Sequence, residues 1–153
     1  MNTVTVSFIV GLPGSGKTTY IKERIKRTEE IIFDDFKANA LGDSDNFQSS
    51  QYYEELIDSL KSSKNCLISD IDFCRTDARE EAIICLNERV PVIKIEWLYF
   101  ENNPKKCMFN IENRAKSPSR DVETEKKLVE KYSLLYKIPP NAKILEINPK
   151  KYE

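Results

Sequence analysis

The stretch Gly11-Leu12-Pro13-Gly14-Ser15-Gly16-Lys17-Thr18 decides the fold. It matches GxxxxGK[ST] at every position and holds three of the four glycines in the chain, so glycine serves backbone geometry here. Without side chains in the way, successive N–H groups can converge on an anion. Upstream, the short β-branched run Val4–Val10 reads as a buried strand. Downstream, Thr18–Arg27 reads as a helix with Ile21 and Ile25 four apart. Strand, turn and helix form the context in which this pattern cradles phosphate, with the helix dipole pointed at the anion. The segment Gly11 to Thr19 is therefore read as a nucleoside triphosphate site. Lys17 should reach the β- and γ-phosphates, and the Thr18 hydroxyl should hold Mg²⁺.

The rest of the chain alternates in the same manner. Strands are expected at Ile31–Phe33, Cys66–Ile71, Val90–Trp97 and Ala142–Ile147. Helices are expected at Phe47–Leu60 (Tyr52, Leu56 and Leu60 recur at every fourth position), Ala78–Leu86, Pro104–Arg114 and Asp121–Lys137. The break Ser117-Pro118 separates the last two helices, and Pro139-Pro140 stops the final one. Such alternation means an α/β fold, a mostly parallel sheet with helices on both faces. No linker or repeat interrupts the 153 residues, so one domain is expected over residues 1–153.

Composition narrows the chemistry. There is no histidine, which removes Ser-His-Asp and Cys-His nucleophiles, His-ligated zinc and His as general base. The 24 basic and 25 acidic residues give a net charge of −1, so no global positive field draws in nucleic acid. Cys66, Cys74, Cys85 and Cys107 show no CxxC spacing and are expected to be reduced, buried thiols. The start MNTVTVSFIV lacks a basic leader region, and no apolar run approaches membrane-spanning length; a cytoplasmic protein without a membrane partner is expected. Charge is nonetheless uneven. Gly42–Leu60 holds five acids and no base, and Pro104–Arg120 holds five bases and one acid.

A phosphate loop needs further groups to transfer phosphate: a base for an acceptor hydroxyl, a metal carboxylate, and cations for the moving group. Asp34 follows a short strand at its carboxyl end, where ligands of open α/β sheets bind. Adjacent residues on an extended segment point oppositely, so only one of Asp34 and Asp35 should face the site. Asp70 ends an apolar strand and is the metal candidate; Asp72 would share its face if the strand continued, and either could instead cap the helix that follows. The basic hinge from Arg114 to Arg120 could close as a lid over about 104–120, with one of these two arginines placed on the transferring phosphoryl group. Trp97, Tyr99 and Phe100 read as core and edge packing rather than a base-stacking platform.

These residues together resemble the P-loop kinase domain of phage-type polynucleotide 5′-kinases, within a wider group of zeta-toxin-like and small-metabolite kinases. The resemblance runs from Val4 to Ile147, and its specific part is the phosphate loop. It implies a three-layer P-loop fold with five strands in the order 2-3-1-4-5 and a helical lid. It implies that Asp34 is the general base, that Asp70 is the strand aspartate, and that Arg114, or failing it Arg120, is the lid arginine. An acceptor-holding arginine of the family falls on Lys37, which keeps the charge and loses the bidentate fork. Where the family continues Asp-Thr-Asn, this chain has Asp70-Ile71-Asp72, which puts a carboxylate on the acceptor side.

The expected activity is ATP- and Mg²⁺-dependent phosphoryl transfer to a hydroxyl. The acceptor is either the 5′-hydroxyl of a nucleic acid or nucleotide, or a small molecule. The acids that follow Asp34 disfavour a polyanion unless folding turns them away from the site. A reading from another class is a nucleotide-dependent switch that hydrolyses slowly and has no acceptor; no Asn-Lys-x-Asp base-reading motif supports it.

Overall fold

A computed structural model describes residues 3–37, 46–114 and 121–147. Five strands form one sheet: β1 (Val4–Val10), β2 (Ile31–Phe33), β3 (Cys66–Ser69), β4 (Ile93–Phe100) and β5 (Ile144–Leu145). Their order is β2-β3-β1-β4-β5, and every pairing is parallel. Five α-helices connect or follow them: α1 (Lys17–Ile25), α2 (Tyr53–Lys61), α3 (Thr76–Arg89), α4 (Pro104–Asn113) and α5 (Val122–Leu135). The central strands β1 and β3 are buried at nearly every position, which requires cover on both faces of the sheet. Phe8 on β1 anchors an aromatic cluster, stacked on Trp97 with ring centroids 4.1 Å apart and edge-on to Phe73 at 5.0 Å. Tyr99 and Phe100 are buried with it, in keeping with a packing role for this group.

Several expected boundaries move, among them β5, which keeps only Ile144–Leu145 of the expected Ala142–Ile147, and three moves have a physical reason. The helix expected over Phe47–Leu60 is split into a 3₁₀ turn at Phe47–Ser49 and α2. Ser50 between them is extended, and its hydroxyl donates to Phe36 O at 2.6 Å. The strand expected over Val90–Trp97 starts at Ile93, because α3 runs on through Arg89 and Pro91 has no N–H for a ladder. The strand expected to reach Ile71 stops at Ser69, because Asp70 caps a 3₁₀ turn over Ile71–Cys74. All four cysteines are buried and unpaired. Among the described residues no helix is long and apolar enough to cross a membrane.

Candidate active site

The phosphate loop lies between β1 and α1, at the carboxyl edge of the sheet. Gly14 and Gly16 take φ of 81° and 106°, a region that L side chains rarely adopt. The Lys17 ammonium folds back on the loop and donates to Gly11 O at 2.6 Å and Leu12 O at 2.9 Å. Burial lowers its pKa below the usual lysine value, against the fields of Cys74, Cys107, Asp34 and Asp35. Helix α4 packs hard against the loop. A Cβ on Gly14 would lie 2.5 Å from Cys107 O, and the buried Asn110 amide donates to Gly14 O at 2.9 Å.

A cavity of about 320 Å³ opens over this loop. Lys17, Thr18, Asp34, Asp35 and Arg114 line it, with Ile71, Glu125 and Leu128 on its far walls. Residues far apart in sequence thus meet around one cavity. Both aspartates face the cavity, not one. The strand ends at Phe33, and Asp35 takes φ 52°, which turns its carboxylate back toward Lys17. Burial and the neighbouring Asp34 raise the Asp35 pKa, and Lys17 opposes them. Asp34 Oδ1 accepts from the Ser69 hydroxyl and from the Asp35 N–H at 3.1 Å. Arg114 stands at the end of α4, with Nη2 3.7 Å from Glu125 Oε2 on α5.

Asp70, Asp72 and Lys37 lie elsewhere. Asp70 is buried and does not line the cavity. Its Oδ2 accepts the Lys37 N–H at 2.7 Å and its Oδ1 accepts the Asp72 N–H at 2.8 Å, so it caps the backbone of both turns. Burial raises its pKa, and the two amide bonds counter that. Lys37 and Asp72 do not reach an acceptor in the cavity. The Lys37 ammonium is bonded to Asp72, which also accepts from Arg75 Nε at 2.7 Å and Nη2 at 2.8 Å. Burial works against the Asp72 charge, but the hydrogen bonds from Arg75 and Lys37 prevail and its pKa falls. Arg120 lies outside the described residues, as does most of the hinge of the expected lid.

Sequence reasoning missed Ser69, Asn110 and Glu125. Ser69 is hidden in an apolar strand, Asn110 is one polar residue in an amphipathic helix, and Glu125 meets Arg114 only through the packing of α4 on α5. No local pattern marks any of them.

On the other side of Gly16, a second cavity of about 320 Å³ adjoins the loop, walled by Tyr20, Phe100 and Leu145 with Ser15 and Glu146 at its polar rim. A larger hollow of about 430 Å³ lies at the amino ends of the strands, where Arg24 is already bonded to Glu30 at 2.7 and 3.0 Å. Open α/β sheets bind ligands at the opposite edge.

The architecture agrees with known proteins in fold. No family model matches the sequence. An uncharacterised protein of Acanthamoeba polyphaga mimivirus is 27% identical over 137 residues, covering 88% of each chain. A chain in the structure of the Pnkp1/Rnl/Hen1 RNA repair complex aligns with a TM-score of 0.56 at 18% identity, over 99% of this chain and 50% of that one. The present chain thus spans about half its length. The crystal structure of APE1195 aligns with a TM-score of 0.56 at 16% identity, over 97% of this chain and 87% of the other. The likeness expected from the sequence is present at the level of the fold. The shared architecture is a parallel five-stranded α/β sheet in the order β2-β3-β1-β4-β5.

Proposed function

We propose that the protein transfers the γ-phosphate of ATP to a hydroxyl acceptor. The observation that carries this reading is the single cavity that gathers Lys17, Thr18, Asp34 and Arg114. A carboxylate for the acceptor proton and an arginine for the moving phosphoryl group are what transfer to a hydroxyl needs beside the lysine. Lys17 and the loop amides hold the phosphates. The apolar hollow beside Tyr20 and Phe100 takes the nucleoside. Asp34 accepts the proton of the acceptor hydroxyl as the new O–P bond forms and the bond to the β-phosphate oxygen breaks, which releases ADP. Arg114 faces the charge on the moving phosphoryl group.

The cavity suits Mg²⁺, a hard cation that takes a few protein oxygens beside phosphate and water. Among the described residues no group of three or more carboxylates, thiols or imidazoles could hold a metal unaided. Thr18 is exposed to the cavity. Asp70 does not line the cavity, and the lining carboxylate offered to the metal is that of Asp35, for which no side-chain hydrogen bond is seen among the described residues. Bound Mg²⁺ would neutralise charge on the β- and γ-phosphates.

For the acceptor, the 5′-hydroxyl of a nucleic acid or nucleotide is the first candidate. The fold likeness to a chain of an RNA repair complex supports it. So does the placement of Glu54, Glu55 and Asp58, which are exposed on α2 and do not line the cavity. A small neutral or cationic hydroxyl compound is favoured by a different observation: Asp34, Asp35 and Glu125 line the cavity, while Lys37 is withdrawn from it. The test is ³¹P NMR of the protein with Mg-ATP and a 5′-hydroxyl oligonucleotide. A phosphomonoester peak beside ADP is the expected result, and Asp34→Asn should lower the rate about 10²- to 10⁴-fold with nucleotide affinity kept. Inorganic phosphate alone would point to the small acceptor. Full turnover in Asp34→Asn would remove the aspartate from the chemistry.

A further inference from the structure

The end of β3 grips the turn that carries Asp34. The Ser69 hydroxyl donates to Asp34 Oδ1. The Phe36 N–H donates to Ser69 O at 3.0 Å, and the Lys37 N–H donates to Asp70 Oδ2 at 2.7 Å. Ser69 itself is immobilised: it is 1% exposed and pairs in register with Ile9 of the central strand. Asp34, by contrast, is solvent-exposed at the tip of a three-residue edge strand, where packing alone would leave its side chain free to rotate.

The hydrogen bonds divide the labour between the two carboxylate oxygens. Oδ1 receives both the Ser69 hydroxyl and the Asp35 N–H, which fills the two acceptor positions of an sp² oxygen. Oδ2 is left for the acceptor proton. We propose that Ser69 is the positioning residue of the transfer reaction: its buried hydroxyl locks Asp34 so that Oδ2 meets the acceptor hydroxyl. This rests on the assignment of Asp34 as base. A carboxylate held before the substrate arrives need not be ordered on the way to the transition state. The Ser69-Asp70 pair after an apolar strand thereby supports the turn that carries the base. Its serine orients the base and its aspartate holds the backbone that follows the base.

The test compares Ser69→Ala with the isosteric pair Ser69→Thr and Ser69→Val. ADP release is followed with a 5′-hydroxyl oligonucleotide as probe acceptor and with water as the default acceptor, alongside nucleotide affinity and the thermal midpoint. Ser69→Ala should lower kcat about 10- to 100-fold, the scale of an ångström-sized misplacement, while KM for ATP and nucleotide affinity stay within about twofold. The Thr and Val variants add the same bulk to a buried site and should shift the thermal midpoint alike, yet only Thr should restore kcat. A Val variant as active as the Thr variant would overturn the proposal, and so would a Ser69→Ala variant that loses kcat and nucleotide affinity together. An unaltered protein that releases no ADP under either condition would overturn the transfer reading itself, and the role of Ser69 with it. Normal release in the unaltered protein and in Ser69→Val would strike the positioning role alone.

Discussion

Gly14→Ala should show how tightly the phosphate loop is bound to its supporting helix. Gly14 has φ 81°, where an L side chain costs about 1–2 kcal/mol. Its new Cβ would lie 2.5 Å from Cys107 O, a helix backbone atom, and 2.9 Å from Ile111 Cγ1. Backbone cannot swing aside as a side chain can, so α4 or the loop must shift, and forced overpacking adds about 1–3 kcal/mol. The sum is about 2–5 kcal/mol, or a thermal midpoint lower by roughly 4–20 °C for a domain of this size. Gly11→Ala is the internal control. Its Cβ would also meet an atom at 2.5 Å, but that atom is the rotatable Ser15 hydroxyl, and the next contact, Phe100 Cβ, is at 3.1 Å. No positive φ is recorded at Gly11, so it should cost clearly less. The assay is thermal and urea unfolding of both variants, with nucleotide binding measured in parallel. Gly14→Ala should be the less stable of the two and should bind nucleotide more weakly, because the N–H groups that face phosphate move with the loop. A Gly14→Ala protein that melts within about a degree of the unaltered one would refute the claimed close packing of α4 on the loop.

Two other substitutions probe the same edge of the sheet. Asn110→Ala leaves Gly14 O without its buried donor and should lower stability by about 1–3 kcal/mol in urea unfolding. An unchanged midpoint would mean that this bond does not hold the loop. Asp72 has a folded-state pKa depressed below that of the unfolded chain, so the folded state binds fewer protons in acid. Its contribution is therefore full above the unfolded value near about 3.9 and is lost as pH falls through the lower folded value. Stability measured between about pH 5 and 2 should fall less steeply in Asp72→Asn than in the unaltered protein. Parallel curves would show that the Lys37–Asp72–Arg75 cluster contributes nothing of this kind.

The parts of the structure legible in the sequence are those set by local chemistry. The phosphate loop follows from glycine spacing between an apolar run and an amphipathic one, and the alternation that follows reveals a parallel sheet. Asp34 could be placed because it ends a short apolar strand. What the sequence hid depends on backbone details that no periodicity records. Extended geometry predicts opposite directions for Asp34 and Asp35, but a single positive φ at Asp35 puts both into the cavity. An apolar strand ending in Asp looks alike whether the carboxylate faces a metal or caps a turn. Here two amides take the Asp70 oxygens, and that is visible only once the turn at 34–37 lies against it. Lys37 fits the position of an acceptor-binding cation in the sequence, yet the nearest opposite charge in the fold, Asp72, holds it in the interior.

The strand order explains why these support residues belong to β3. The phosphate loop leaves β1, and Asp34 leaves β2. Neighbouring strands are about 4.8 Å apart, and β3 lies between these two, so Asp34 and the loop stand about two spacings apart, or roughly 10 Å. That gap admits a phosphoryl group with attacking and leaving oxygens on opposite sides. With β2 directly beside β1 it would be about half as wide and would bring the Asp34 carboxylate against the phosphates themselves. The inserted strand therefore sets the separation that the proposed transfer requires. Its last residues lie between Asp34 and the phosphate loop, and Ser69 there pairs with Ile9 on one flank while its hydroxyl reaches Asp34 on the other. A residue that aligns the proposed base against the phosphate loop has to touch both flanking strands, and in this sheet order the end of β3 does so.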